Sequence, residues 1–190
     1  CHHNLEVEFG PRINFLVGEN GSGKSAVLTA LSLTLGVKAK ETRRSEKGIK
    51  GFIREGANFA KVEVSIRNVG HDALDPDVFG PVIVIERNIS QSTSSIKIKG
   101  RDGKDVGGSR DKLDRITDHF NIDVNNPVVV MSQDSSREFL HSGKPGDKYD
   151  FFTKATLLKE ITNKLMYIKQ QIKEMNALIA EKEKELPVLE

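Results

Sequence analysis

Residues 18–25 read Gly-Glu-Asn-Gly-Ser-Gly-Lys-Ser and fill every position of the phosphate-binding pattern G-x-x-x-x-G-K-[ST]. An alternating apolar run, Ile13 to Val17, precedes this stretch, and an apolar run with helical spacing, Ala26 to Leu35, follows it. Strand, glycine-rich loop and helix, in that order, are the context that the pattern requires. A glycine-rich turn that matches by chance is the alternative. The flanking runs favour a phosphate-binding loop.

The residues of this loop predict how a nucleotide is held. The backbone amides of residues 21–25 would converge on the phosphates, and the start of the following helix would add its unpaired donors and its positive dipole end. Lys24 would reach the terminal phosphates, and the Ser25 hydroxyl would bind Mg²⁺. The expected nucleotide-binding set is Gly18, Glu19, Asn20, Gly21, Ser22, Gly23, Lys24, Ser25 and Ala26.

Composition limits the class of protein. The 190 residues can form one domain with a core, but 37% hydrophobic and 29% charged residues predict that part of the chain is solvated. Lys and Arg number 29 against 27 acidic residues, so any nucleic-acid binding must come from local clusters. The single cysteine, Cys1, excludes an internal disulfide. Because the first residue is not Met, we expect a fragment or a processed form. No run has the length of a membrane span or the shape of a signal peptide.

The first 150 residues predict a mixed α/β domain. Alternating apolar residues predict strands, and a helix with Leu113, Ile116 and Phe120 on one face is expected to begin after Ser109 as its N-cap. The run Ile96 to Lys99, followed by Gly100 to Gly103, predicts a hairpin with an Asp-Gly turn. The predicted strands are residues 4–9, 12–17, 62–66, 82–85 and 96–99.

Residues 37–61 form a basic connector, with eight basic against three acidic side chains. A solvated surface, a contact with the nucleotide phosphates and a contact with nucleic-acid backbone are the three interpretations that the pattern allows.

Asn126 and Pro127 introduce an apolar run, Val128 to Met131, which predicts a second buried strand. In many phosphate-loop enzymes such a strand ends in an Asp that holds Mg²⁺. Here Ser132 and Gln133 follow. The carbonyl oxygen of Gln133 can bind Mg²⁺ or orient water, but it cannot act as a base. A Gln133 that caps the next helix is the alternative. No catalytic residue is therefore predicted in this chain.

From residue 158 the pattern changes to apolar residues spaced alternately three and four apart, which predicts a coiled-coil arm. The positions, interrupted only by the polar residue Lys182, are Leu158, Ile161, Leu165, Ile168, Ile172, Met175, Ile179, Lys182 and Leu186. An amphipathic helix packed on the domain is the alternative. Pro187 is expected to end or kink the helix.

Together these features resemble the N-terminal half of the ATPase head in the structural maintenance of chromosomes (SMC) family. The resemblance is carried by blocks spread along nearly the whole chain, and the last two are typical of the branch that forms the SMC five/six complex. The blocks are FGPRINF at 9–15, GENGSGKSAVLTAL at 18–31, IREG at 53–56, Asn126-Pro127, EFLHS at 138–142 and DKYDFFTKAT at 147–156.

The resemblance implies a fold, and it implies that the motifs needed for hydrolysis are divided between two halves of the head. The fold would be an α/β phosphate-loop NTPase, the N-terminal lobe of an ABC-type SMC head with a mixed sheet, followed by a long coiled-coil helix. Residues 1–150 would form the head half and residues 151–190 the neck and arm. In this family the Walker B and signature motifs lie in the C-terminal half of the head. ATP hydrolysis would therefore need that half and a partner head.

The resemblance also implies ligands and partners. Gln133 would contact Mg²⁺, and Arg43 or Arg44, of which we favour Arg44, would lie near the phosphates of ATP. The partner head would belong to the SMC five protein, a kleisin subunit would dock around residues 150–175, and the assembly would bind DNA and serve DNA repair on nuclear chromosomes. The rival hypotheses are a self-contained phosphate-loop kinase, another coiled-coil ABC ATPase of DNA repair, and a degenerate head that only anchors the arm.

Overall fold

A computed structural model describes residues 3–37, 51–137, 139–140 and 144–185 of the chain. The chain forms two compact units, Cys1–Asn125 and Asn126–Glu190. Compact units and functional domains need not share boundaries, so the division at residue 150 stays a prediction. The helices and strands of the described part, in chain order, are α1 (Lys24–Thr34), β1 (Phe59–Arg67), α2 (Pro76–Phe79), β2 (Val82–Ser90), β3 (Ser94–Lys99), α3 (Arg110–His119), α4 (Gln133–Arg137), α5 (Pro145–Ala155) and α6 (Leu158–Glu185).

The sheet of the first unit is antiparallel, with the strand order β1-β2-β3. Its strands confirm the predictions at 62–66, 82–85 and 96–99, and each extends beyond the predicted bounds. The predicted turn after β3 is also present. Asp102 and Gly103 both have positive φ, 58° and 71°, and the chain then returns to pair Lys99 with Asp105. The α/β fold class is therefore confirmed.

The core lies on one face of this sheet. Ile83, Ile85 and Ile98 are buried there against Leu113 and Ile116 of α3. Burying an aliphatic side chain of this size stabilises a fold by about 1.5–3 kcal/mol. Helix α3 begins as predicted, because the Ser109 Oγ accepts the amide of Lys112 at 3.2 Å.

The predicted strands at 4–9 and 12–17 are wrong for the described chain, since no β-ladder includes residues 3–20. Ile13, Phe15 and Val17 are 81%, 85% and 92% exposed. A strand is stable only when its amides and carbonyls pair with a neighbouring strand and its apolar face is covered. The alternating pattern is present, but the described residues supply neither condition.

The predicted buried strand at Val128 to Met131 is also wrong. The side chain and carbonyl of Asn126 accept the amides of residues 128–130, each at 3.0 Å, which bends the backbone into turns. Val128 and Val129 are more than half exposed. The side-chain Nδ2 of Asn126 also donates to the carbonyl of Ala155 at the end of α5. Local hydrogen bonds of this asparagine replace the ladder that a buried strand needs.

The second unit ends in a helical hairpin of α5 and α6, joined through Leu157, which has a positive φ of 60°. Helix α6 spans 28 residues and confirms the predicted helix. Its described stripe positions from Leu158 to Ile179 are about half exposed, so the coiled coil stays a prediction. Leu186 and Pro187 lie outside the described residues. No described helix has the length and apolar character needed to cross a bilayer.

The opposite face of the sheet carries a cross-strand ion cluster centred on Glu86 of β2. Lys61 of β1 and Lys99 of β3 place their Nζ atoms 2.9 and 2.8 Å from its carboxylate, and Asn88 donates to it at 2.7 Å. Hydrogen bonds from Lys99, Asn88 and Lys61 lower the pKa of the Glu86 carboxyl from 4.5 to about 2. The same contacts raise the pKa values of both lysines. The cluster therefore joins all three strands.

Glu86→Gln is expected to lower the free energy of unfolding at pH 7 by about 1 kcal/mol, a modest value because both lysines are partly exposed and screened. A carboxyl with a depressed folded pKa stabilises the fold above its unfolded pKa, and this contribution disappears as pH falls through the folded value. The variant should therefore lose less stability than the parent between pH 4.5 and 2. Urea denaturation followed by circular dichroism at several pH values measures this. Glu63→Gln is the matched control, because Glu63 is 3.3 and 3.7 Å from the same lysines but half exposed; an equal loss for both variants contradicts the prediction.

A second prediction concerns Gly108. An added Cβ would overlap the carbonyl oxygen of Ile96, so the backbone would have to shift. We expect Gly108→Ala to cost about 3 kcal/mol of unfolding free energy. Gly146→Ala in α5 is the control, because no atom lies within 4 Å of the added Cβ, and it should be neutral or stabilising by about 0.5 kcal/mol. Equal denaturation midpoints for the two variants would refute the close approach at Gly108.

Candidate nucleotide-binding site

Two glycines give the predicted phosphate loop its shape. Gly21 and Gly23 have φ values of 82° and 98°, in the left-handed region that residues with a Cβ rarely adopt. A Cβ at Gly18 would lie 2.8 Å from the Ser22 Oγ, so the Ser22 side chain would have to move to admit one. The loop backbone turns through these positions directly into α1, with Gly23 as its N-cap.

Lys24, the first residue of α1, reaches back over the loop. Its Nζ donates to the carbonyl oxygens of Gly18 at 2.6 Å and Glu19 at 2.7 Å. These two bonds hold the ammonium above the loop backbone, and the lysine has a third N–H to donate. A positive charge in this position favours an anion in front of the loop.

Helix α1 presents its N-terminal end and is anchored at its C-terminal end. Leu33 and Thr34 are buried in the last turn, whereas Ser25 in the first turn is exposed. Gly36, with φ of 117°, follows the C-cap residue Leu35 in a conformation that residues with a Cβ rarely adopt. The first amides of a helix have no intrahelical acceptor, so those of residues 24 and 25 can face a ligand. The amide of Ala26 donates to the carbonyl of Gly23 at 2.9 Å.

The predicted metal ligands lie in different units. The exposed Ser25 lies in the first unit beside Lys24, and its carbonyl accepts the Thr29 hydroxyl at 2.8 Å. Gln133 is the exposed first residue of α4 in the second unit. The cap of α4 is Ser132, whose Oγ accepts the Ser135 amide at 3.1 Å, so the alternative that Gln133 caps this helix is wrong. The Gln133 amide oxygen is therefore not used as a cap.

Arg43 and Arg44 lie outside the described residues, as do residues 38–50 of the basic connector. Their expected contact with the phosphates stays a prediction. Arg87, by contrast, was not predicted as a functional residue. The signal for it is visible in the sequence, because Arg87 interrupts an alternating series of isoleucines, Ile83, Ile85 and Ile89.

Comparison with known proteins identifies the family of this chain. A family model described as an AAA domain matches residues 1–189. The chain is 47% identical over 190 residues to structural maintenance of chromosomes protein 6B of Arabidopsis thaliana, a match that covers 100% of this chain and 18% of that protein.

Relatives from other kingdoms show similar identity. The match to structural maintenance of chromosomes protein 6 of Homo sapiens is 45% identical over 170 residues, covering 88% of this chain and 16% of that protein. The match to the protein 6 of Schizosaccharomyces pombe is 40% identical over 173 residues, covering 90% and 15%. The chain thus spans less than a fifth of the length of these relatives. The chain belongs to the AAA domain family, as a relative of the N-terminal ATPase head of structural maintenance of chromosomes protein 6.

Proposed function

We propose that the chain is the ATP-binding half of the head of an SMC-family ATPase that serves chromosome maintenance and DNA repair. The observation that supports this most directly is the loop at the start of α1, in which Gly21 and Gly23 adopt left-handed conformations. Lys24 is held above the loop by two carbonyls. The loop amides and Lys24 bind the phosphates of ATP, and Arg44 contacts them from the connector.

Mg²⁺ accompanies ATP in this proposal. The hydroxyl of Ser25 and the side-chain oxygen of Gln133 are the two ligands that this chain supplies, and both are oxygen atoms, as Mg²⁺ prefers. Both side chains are exposed. Ser132, and not Gln133, caps helix α4. The metal would neutralise charge on the β- and γ-phosphates. The chain itself positions the phosphates and holds the metal.

Hydrolysis belongs to the assembled head. We propose that the C-terminal half of the same head and the head of the SMC five protein complete the site, with ATP between the two heads. The side chains of Ile13, Phe15 and Val17 are apolar and exposed, which supports the proposal that another polypeptide segment packs against them. Contiguous apolar surface of this kind is rare on a finished protein surface. The relatives are also more than five times longer than this chain.

The helical hairpin supports the proposed arm and neck. The apolar stripe of α6 is about half exposed over its described length, which fits a helix that pairs with a second helix. In this proposal a kleisin subunit docks around residues 150–175, and the assembled complex binds DNA on nuclear chromosomes. Head engagement on ATP would couple nucleotide binding to DNA binding.

Lys24→Ala is expected to weaken ATP binding, because a charge-assisted bond contributes about 1.5–3 kcal/mol, or roughly 10- to 100-fold in Kd. Titration of a fluorescent ATP analogue with the chain measures this in the presence of Mg²⁺. Lys148→Ala in α5 is the control, since it removes an exposed lysine in the second unit. Unchanged affinity in the Lys24 variant would remove the loop from the nucleotide site.

The chain alone is expected to hydrolyse ATP no faster than buffer, because no general base is predicted in it. Phosphate release is measured for the chain and for the complete two-headed complex. Turnover should appear only in the complex. Substantial hydrolysis by the chain, abolished by Lys24→Ala, would show that the site is complete within these 190 residues.

A further inference from the structure

The inward face of β2 carries one cation among isoleucines. Ile83, Ile85 and Ile89 on this face are 0%, 0% and 2% exposed. Arg87 occupies the same face between Ile85 and Ile89, flanked by Val62 of β1 and Ile96 of β3. Alternation in a half-buried strand predicts an apolar residue here. Departures from such local rules concentrate at functional positions.

Arg87 has no partner in the described part of the chain. Its Nε atom is buried and makes no hydrogen bond, and no ion pair to its guanidinium occurs among the described residues. Burial lowers the pKa of this guanidinium, and the nearby charge of Arg110 lowers it further. Arg110 itself is paired, with Asp114 at 2.9 Å and with the carbonyl of Gly36 at 2.6 Å.

A second unpaired polar atom lies on the same face. The Ser94 Oγ of β3 is buried and makes no hydrogen bond. Ser94 pairs with Ile89, so it is the diagonal neighbour of Arg87, whose direct partner is Ile96. Diagonal side chains on one face of a sheet are about 7–8 Å apart at Cα, within reach of a long side chain. An acceptor between Arg87 and Ser94 could therefore bond to both.

Leaving these donors without acceptors is costly. A buried, unpaired polar group costs about 1–3 kcal/mol, and a charged group costs more. The carboxylates around it are already engaged elsewhere: Asp114 binds Arg110, and Glu86 lies on the opposite face with Lys61 and Lys99. An arginine can also extend its tip to solvent over an apolar surface, but that arrangement does not require a buried Nε. The acceptor for Nε is therefore not among the described residues.

We propose that Arg87 and Ser94 form a binding position for the carboxylate of an Asp or Glu side chain carried by polypeptide outside residues 1–190. Nε–H and one terminal N–H of the guanidinium would bind the two carboxylate oxygens, and the Ser94 hydroxyl would donate a third bond. The flanking Val62 and Ile96 favour a carboxylate on an aliphatic stem over a nucleic-acid phosphate, which would bring a hydrated backbone against apolar side chains.

The relatives extend far beyond this chain, and the exposed apolar segment at Ile13 to Val17 shows that this unit has surface still to be covered. The proposal uses no residue of the phosphate loop. It can therefore fail while ATP binding stands.

The test is zero-length cross-linking with a carbodiimide in the complete protein with its partner chains. Arg87→Lys keeps the positive charge and supplies an amine that forms an amide only with a carboxylate in contact. Peptide mass spectrometry then identifies the carboxylate. We expect a cross-link from position 87 to an Asp or Glu outside residues 1–190, about tenfold more abundant than in the control because contact raises the effective concentration.

Arg67→Lys is the control, because Arg67 lies on the neighbouring β1 but is exposed. A second variant, Arg87→Lys combined with Ser94→Ala, should lower the yield of the same cross-link. Three results would overturn the proposal: a yield no higher than in the control, a cross-link to a carboxylate within residues 1–190, or a yield that added duplex DNA suppresses. The last result would assign the cation to a phosphate.

Discussion

The first unit depends on the burial of isoleucines on one face of its central strand. Ile83 and Ile85 of β2, with Ile98 of β3, form the contact surface for α3. The last turn of α1 is buried as well, and α1 packs against β1 and β2. Because a helix is stiff, anchoring one end fixes the direction of the other. Apolar contacts at the C-terminal end of α1 therefore fix the position of the predicted phosphate loop at its N-terminal end.

The same central strand carries two charged neighbours with opposite environments. Glu86 faces outward and receives hydrogen bonds from two lysines and an asparagine. Arg87 faces inward, where its Nε is buried without an acceptor. The period of two in a strand separates these adjacent residues onto opposite faces, so their charges do not satisfy one another. One charge is paired within the described residues, and the other finds no acceptor among them.

Three parts of the described chain expose apolar side chains or leave a charge unpaired. The N-terminal segment exposes alternating apolar side chains, α6 exposes a stripe along its length, and β2 holds an unpaired cation. Apolar side chains are normal in a protein interior, whereas a buried cation is normal there only when it is paired. A chain that spans less than a fifth of its relatives is expected to expose the surfaces that the remainder covers. The loop at residues 18–25 can form within this chain because its geometry is local.

Local chemistry explains which features the sequence determined alone. The Ser109 cap, the Asp102-Gly103 turn and helix α6 depend on interactions over a few residues, and the structure confirms all three. The loop at residues 18–25 is also local, and Gly21 and Gly23 adopt left-handed conformations there, while its binding of phosphate stays a prediction. Tertiary structure decided the rest. The segments 4–9, 12–17 and 128–131 have the pattern of strands, but a strand needs hydrogen-bonding neighbours that its own sequence cannot supply. The sequence could not show that Arg87 lacks a hydrogen-bond acceptor among the described residues. That depends on which residues the register of the three strands places beside it.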